Sequence, residues 1–202
     1  MKLGSHNSWS YLKPKHWWLS PFNFIAKCQD VDIYKQHILY GVECFDLRIR
    51  FDKYGNPLVC HGFMTYKIDG LELGKNLSYI NSIKGEVRVV LDTRTFYQHN
   101  QSYPYFRQFC ADLIYKYPDI KFWCGRNLYD WEVDYNFKYN PSCKEDYASV
   151  SDNKWINQFY PYPYAKKNNK NILSKEYKED ILLIDFVNIK YIFWINSFFD
   201  PI

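Results

Sequence analysis

The chain has 202 residues, enough for one domain with a real core and short for two. Its formal net charge of +4 is spread along the chain, so the basic stripe or known module that nucleic-acid binding calls for is missing. Aromatic residues make up 21% of it, and such rings suit pockets, sugar-like rings and membrane interfaces as well as an ordinary core.

Residues 2–8 read as a short strand running into the turn Gly4-Ser5-His6-Asn7-Ser8, where small residues project a His and an Asn. A loop with Pro14, Trp17, Trp18 and Pro21 follows. Residues 30–39 predict a helix capped by Asp30 or Asp32, with Ile33, His37 and Ile38 on one face and Gly41 past its end. Residues 41–52 then alternate strictly: Phe45, Leu47, Ile49 and Phe51 on one side, Cys44, Asp46, Arg48 and Arg50 on the other. That period is a strand's. Two readings stay open: an open sheet with its charges in water, or a barrel strand whose polar face lines an active-site mouth.

Lys53-Tyr54-Gly55-Asn56-Pro57 is a turn, and residues 58–61 form a short strand ending at His61-Gly62. Leu73, Leu77, Ile80 and Ile83 give residues 71–83 helical spacing, stopped by Gly85. Residues 87–93 are a nearly continuous β-branched run, as in a buried parallel strand. A helix is expected over 103–117, with Pro104 near its start, and a short strand over 121–124. Periodicity fails from 127 to 165, which reads as long loops with one short strand at 148–151. Lys166-Lys167-Asn168-Asn169-Lys170 reads as a solvated loop. Residues 181–187 form a last buried strand ending near Asp185, and 191–199 are a very apolar tail.

Strands separated by helices predict a parallel α/β architecture. A full eight-stranded barrel takes about 250 residues, so a small, irregular or incomplete TIM (β/α) barrel is expected, as a single domain over 1–202. The six cysteines show no paired spacing and are expected as buried free thiols in a reducing compartment. The first residues hold no apolar leader and no run reaches membrane-spanning length, so a cytoplasmic start is the default expectation.

His6, Arg48, His61, Arg94 and Asp185 all fall at or near the predicted C-terminal ends of strands. In a parallel barrel these ends converge on one face, and two histidines there suit acid–base chemistry near neutral pH. Singly, each is more often a packed His or a surface charge.

Gly4-Ser5-His6-Asn7-Ser8, then Gly41-Val42-Glu43-Cys44-Phe45-Asp46-Leu47-Arg48, then His61-Gly62 resemble, in order and spacing, the X-domain signature of phosphatidylinositol-specific phospholipases C. Val89-Val90-Leu91-Asp92 matches the next strand, and Leu183-Ile184-Asp185-Phe186-Val187-Asn188 resembles the last barrel strand of the bacterial enzymes. The resemblance implies attack of the inositol 2-hydroxyl on phosphorus, giving diacylglycerol and a cyclic inositol phosphate. By motif position His6 is the general base, His61 the general acid, and Asp185 the carboxylate that orients His6.

Arg48 decides the implied subtype. Calcium-dependent relatives carry an acidic residue there, and bacterial ones an Arg whose planar, permanent cation suits a phosphodiester. Arg94 likewise stands where the calcium enzymes place a Glu and the bacterial ones a Lys. No cofactor and no calcium requirement are therefore expected. Asn7 departs from the bacterial pattern, which has an Asp paired with the acid His. Asn cannot stabilise an imidazolium by charge, so a lower pKa is expected for His61 than in an Asp-bearing relative, with Asp46 as a candidate substitute.

Ser149-Val150-Ser151-Asp152-Asn153-Lys154-Trp155 loosely resembles a bacterial segment whose Asp and aromatic hold the inositol, which implies Asp152 and Trp155 as substrate contacts. Arg126 is a further candidate, and an ordinary polar loop is an equal reading. Trp17 and Trp18 suit either an interface or simple packing. The expected partners are a phospholipid and a peripheral membrane surface, with the protein a monomer. Two rivals remain: a glycerophosphodiester phosphodiesterase, whose metal-binding Glu-x-Asp pair Glu43 and Asp46 do not reproduce, and a catalytically weak module that binds lipid or inositol phosphate.

Overall fold

The computed structural model describes residues 1–93, 96–124, 143–146, 160–176 and 180–189. The elements in order are β1 (Lys2–Ser5), a 3-10 segment (Trp17–Phe22), α1 (Asn23–Ala26), α2 (Ile33–Tyr40), β2 (Cys44–Phe51), β3 (Pro57–His61), β4 (Met64–Thr65), α3 (Gly70–Ser82), β5 (Glu86–Leu91), α4 (Phe96–Lys116), β6 (Lys121–Cys124), β7 (Cys143–Asp146), α5 (Pro161–Leu173) and β8 (Ile181–Ile184).

Six strands run parallel in the order β6-β5-β2-β1-β8-β7. The edges β6 and β7 are not paired with each other among the described residues, so the sheet is a mixed α/β sheet that is not closed there. The strand ending at His61 departs from the parallel expectation. β3 folds back antiparallel on β2, pairing Ile49 with Val59 and Phe51 with Pro57, because the turn after Asp52 is a tight hairpin. Asp52 itself closes that turn, accepting the backbone N–H groups of Tyr54 and Asn56 on Oδ1.

This hairpin sets up the site. β1 and β3 share one edge of β2: β1 pairs with its start at Cys44 and Phe45, and β3 with its end from Ile49 to Phe51. Each strand therefore delivers its last residue toward the middle of β2, from opposite directions. β5 runs along the other edge, setting Arg88 beside Asp46.

Both faces of β2 are buried at its start. Phe45, Leu47 and Ile49 are fully buried in the main core under the helices, and Cys44 and Asp46 on the other face are fully buried too. The polar face is therefore buried at Cys44 and Asp46 and opens partly to solvent at Arg48 and Arg50. Cys44, Trp123, Ile181 and Leu183 form a small apolar cluster on that inner side. Gly4 faces it, and a Cβ there would collide with the Leu183 side chain.

Several helices refine the sequence reading. Asp32 caps α2 by accepting the Lys35 N–H at 2.9 Å, and Gly41 ends it in the left-handed region at φ 68. The buried stripe of α2 is Ile33 and Gln36, whereas Ile38 is 54% exposed. α4 starts earlier than expected and runs through Pro104, which forgoes one ladder bond. The basic cluster at 166–170 is part of α5 and not a loop. Its lysines face outward, while the buried Asn169 donates to the carbonyls of Asp185 (2.8 Å) and Phe186 (3.3 Å). A strand lies at Cys143–Asp146 within the stretch read as loops. The strand expected at 148–151 and the tail at 191–199 lie outside the described residues. Cys28, Cys44, Cys60 and Cys110 are buried free thiols.

Candidate active site

The turn after β1 is fastened to both neighbouring strands. The His6 N–H donates to Ile184 O at 2.9 Å, and the Ser8 N–H to Asp46 O at 3.0 Å. Asn7 sits at φ 45, in the left-handed region that Asn tolerates better than most residues. That geometry aims its N–H at Asp46 Oδ2, 2.9 Å away. Gln29 bridges the same ends, its amide donating to His6 O at 3.1 Å and Ile184 O at 2.9 Å and accepting from the Val187 N–H. The His6 backbone has little freedom left.

The His6 ring is held at both nitrogens. Nδ1 lies 2.7 Å from Asp185 Oδ1, and Nε2 lies 2.7 Å from Arg48 Nη2. A guanidinium can only donate, so Nε2 is the acceptor and the ring proton sits at Nδ1, against the carboxylate. Both His6 and Asp185 are buried.

Arg48 is aimed by Asp46, whose Oδ2 accepts its Nε–H at 2.8 Å, while Arg88 approaches Asp46 Oδ1 at 3.7 Å. Burial alone would raise the Asp46 pKa. The charges of Arg48, Arg88 and His6 outweigh it and hold the carboxyl well below its usual range. Asp46, expected as a substitute partner for His61, is thus taken up by the Asn7 N–H and two guanidinium groups.

His61 comes in at the end of β3. Its Nδ1 donates to Ala26 O at 2.8 Å, and the Tyr66 hydroxyl donates to the same carbonyl at 3.0 Å. The Asn7 side chain also points there, its amide nitrogen 3.4 Å from Ala26 O, and so meets the histidine's partner. The rings of His6 and His61 stand edge to face, centroids 5.4 Å apart at 88°. Burial pushes the His61 pKa down to about 4, assisted by the charges of Arg48 and His6 and opposed by Asp92 and the Ala26 carbonyl. The lowering is relative to an ordinary histidine, and its first cause is burial.

The structure therefore brings His6, Asn7, Asp46, Arg48, His61 and Asp185 into one cluster. Arg94, Arg126, Asp152 and Trp155 lie outside the described residues. Sequence reasoning missed Arg88, Gln29, Cys28 and Asp92. A charge inside the apolar run Val87-Arg88-Val89-Val90 was the available signal for Arg88. Cys28 Sγ lies 3.8 Å from His61 Nδ1. Together with His6 and Asp185 it forms a His/Cys/Asp set with ligand atoms within 4.8 Å of one another. Burial first, and then Asp185, keep Cys28 as a thiol.

In the segment that follows the β1 turn, Trp17 is 80% exposed and Trp18 55%, and Phe22 and Phe24 are also exposed. No described helix is long and apolar enough to cross a membrane.

No family model matches the sequence, and no curated protein sequence matches it. Among solved structures, the chain is similar to the phosphatidylinositol-specific phospholipase C from Listeria monocytogenes, with 15% identity and a TM-score of 0.59, over 97% of this chain and 91% of that one. It is also similar to the F249X mutant of the phosphatidylinositol-specific phospholipase C from Staphylococcus aureus, with 19% identity and a TM-score of 0.55, over 92% and 85%. A pentafluoro-Phe form of the Staphylococcus enzyme gives 18% identity and a TM-score of 0.52, over 92% and 85%. At such identities the likeness is one of fold.

Proposed function

We propose that this chain is a phosphodiesterase that cleaves phosphatidylinositol-like lipids by attack of the inositol 2-hydroxyl on phosphorus. The observation that carries this reading is the meeting of His6, Arg48 and His61 around the middle of β2. Its support from outside the chain is the fold shared with two bacterial enzymes named for that substrate.

In this reading the lone pair at His6 Nε2 takes the hydroxyl proton, and Asp185 at Nδ1 stabilises the imidazolium that forms. Arg48 leaves Nε2 for a non-bridging phosphate oxygen, where its charge offsets the negative charge that builds up. That move frees the base as the substrate arrives. Ala26 O holds the Nδ1–H of His61, so Nε2 is the nitrogen that titrates and that protonates the departing diacylglycerol oxygen. Burial first, and then the charge of Arg48, keep His61 neutral near pH 7. A bound phosphodiester anion cancels part of that repulsion and draws a proton onto the ring.

The reaction needs no calcium in this reading, because guanidinium groups stand on either side of Asp46 where an oxygen-ligand cage would have to form. The exposed Trp17, Trp18, Phe22 and Phe24 suit shallow contact with a lipid surface by a monomer.

The test is purified protein on phosphatidylinositol vesicles in EDTA, with His6→Ala as control. Appearance of cyclic inositol phosphate is the expected result. Vesicle binding without turnover would make the chain a lipid-binding module, and an absolute need for added calcium would remove the role given to Arg48.

A further inference from the structure

We propose that Asp92 and Arg50 are positioning residues for His61, and that Asp92 supplies the carboxylate charge that Asn7 and Asp46 do not. This rests on the reading of His61 as the acid. The residue after His61 is Gly62, at φ +55, a backbone shape that glycine adopts without strain. Its peptide is gripped from both sides. The Gly62 N–H donates to Asp92 Oδ2 at 3.0 Å, and Gly62 O accepts from Arg50 Nη2. Arg50 and Asp92 face each other at 3.9 Å, which ties the two clamps together.

Both residues stand on firm elements. Arg50 belongs to β2, two positions beyond Arg48 on the same face. Asp92 follows β5 and is itself held by its N–H to Ile49 O at 2.9 Å. It is 5% exposed, so its charge is poorly screened. The groups facing His61 are His6 from the β1 turn, Arg48 from β2, Cys28 and the Ala26 carbonyl from the segment before α2, the Tyr66 hydroxyl beyond β4, and Asp92 beyond β5. Arg48 and His6 disfavour a proton on His61, and Asp92 is the carboxylate among these groups that favours one. Asp46 faces Arg48 and Arg88 instead.

Asp92→Asn tests this, because the amide oxygen can still accept the Gly62 N–H while the charge is lost. Two measurements are made. The first is the His61 titration by proton NMR, assigned by difference against His61→Gln, and it needs no turnover. Its midpoint should move down in Asp92→Asn, and an unchanged midpoint with native chemical shifts elsewhere overturns the proposal. The second compares phosphatidylinositol with an inositol phosphate ester of p-nitrophenol, whose leaving group needs no proton. Activity on the lipid near pH 7 should fall about tenfold relative to the aryl ester, as a one-unit loss of proton affinity requires. Equal losses on both substrates would make Asp92 merely structural and also overturn it. If the wild-type protein cleaves neither substrate, the proposed function fails, and the NMR midpoint alone decides the role of Asp92.

Discussion

Arg48 Nη2 touches His6 Nε2 at 2.7 Å, so the cation rests on the nitrogen that would act as base. Two consequences follow. The imidazole is held as the Nδ1–H tautomer, and under the proposed mechanism the guanidinium must leave Nε2 before that nitrogen can act as base. A lysine could not do both tasks, because an ammonium lacks the planar fork that reaches Asp46 with Nε and His6 with Nη2. Arg48→Lys should lower kcat on phosphatidylinositol by roughly 10²–10³, the range for removing a transition-state donor. Circular dichroism should stay native. A loss under about tenfold would mean that the charge alone suffices.

Asp185→Asn is expected to cost more than its size suggests. The side-chain amide can present its NH2 to His6 Nδ1, which would favour the opposite tautomer and put a proton on Nε2. A fall of about 10³–10⁴ in kcat, with KM little changed, is the expected result. The α5 anchor uses the Asp185 backbone carbonyl, not its carboxylate, so folding should survive. Thermal melting run alongside the kinetics separates the two effects. A KM effect alone would remove Asp185 from the base's machinery.

Asp46→Asn should show up first in stability. Asp46 is fully buried between Arg48 and Arg88, and neutralising it removes the carboxylate charge that both guanidinium groups face. Breaking a buried ion pair from one side costs about 3–5 kcal/mol. Urea unfolding should report a loss of that order, together with weaker activity as Arg48 loses its aim. A change below about 1 kcal/mol would show the cluster to be well hydrated.

Much of this arrangement could be read from the chain before any coordinates. The alternation of Phe45, Leu47, Ile49 against Cys44, Asp46, Arg48 marked the central strand because a strand's side chains have period two. Asp32 and Gly41 marked the ends of α2 because capping is local. The turn before β3 is legible in Gly55, Asn56 and Pro57, but the direction of β3 is not, because so short a strand carries no mark of parallel or antiparallel pairing. α5 was missed because Asn169 replaces an apolar residue in its buried stripe, its amide answering carbonyls that lie beyond it in sequence. Asp92 was missed for the same reason. Its partner is a peptide N–H after His61, and no spacing rule connects residue 92 with residue 62.

The His61 pKa leads to a prediction about folding that needs no substrate. In the folded protein it lies near 4, against about 6.5 in an unfolded chain. Between those values the unfolded state binds a proton there that the folded state refuses, so stability rises with pH across that window. The contribution is complete above about pH 6.5 and is lost as pH falls toward 4. Asp46 acts in the same direction but lower, because its folded pKa lies beneath the ordinary carboxylate range, so its share disappears only in stronger acid. His61→Gln removes the first contribution and leaves the second. Urea midpoints measured at about pH 5 and about pH 7 should therefore differ more for wild type than for His61→Gln. If the two proteins lose stability in parallel between these points, His61 titrates normally in the folded state. The burial of His61 and the charge of Arg48 beside it would then not act on its proton as the site geometry requires.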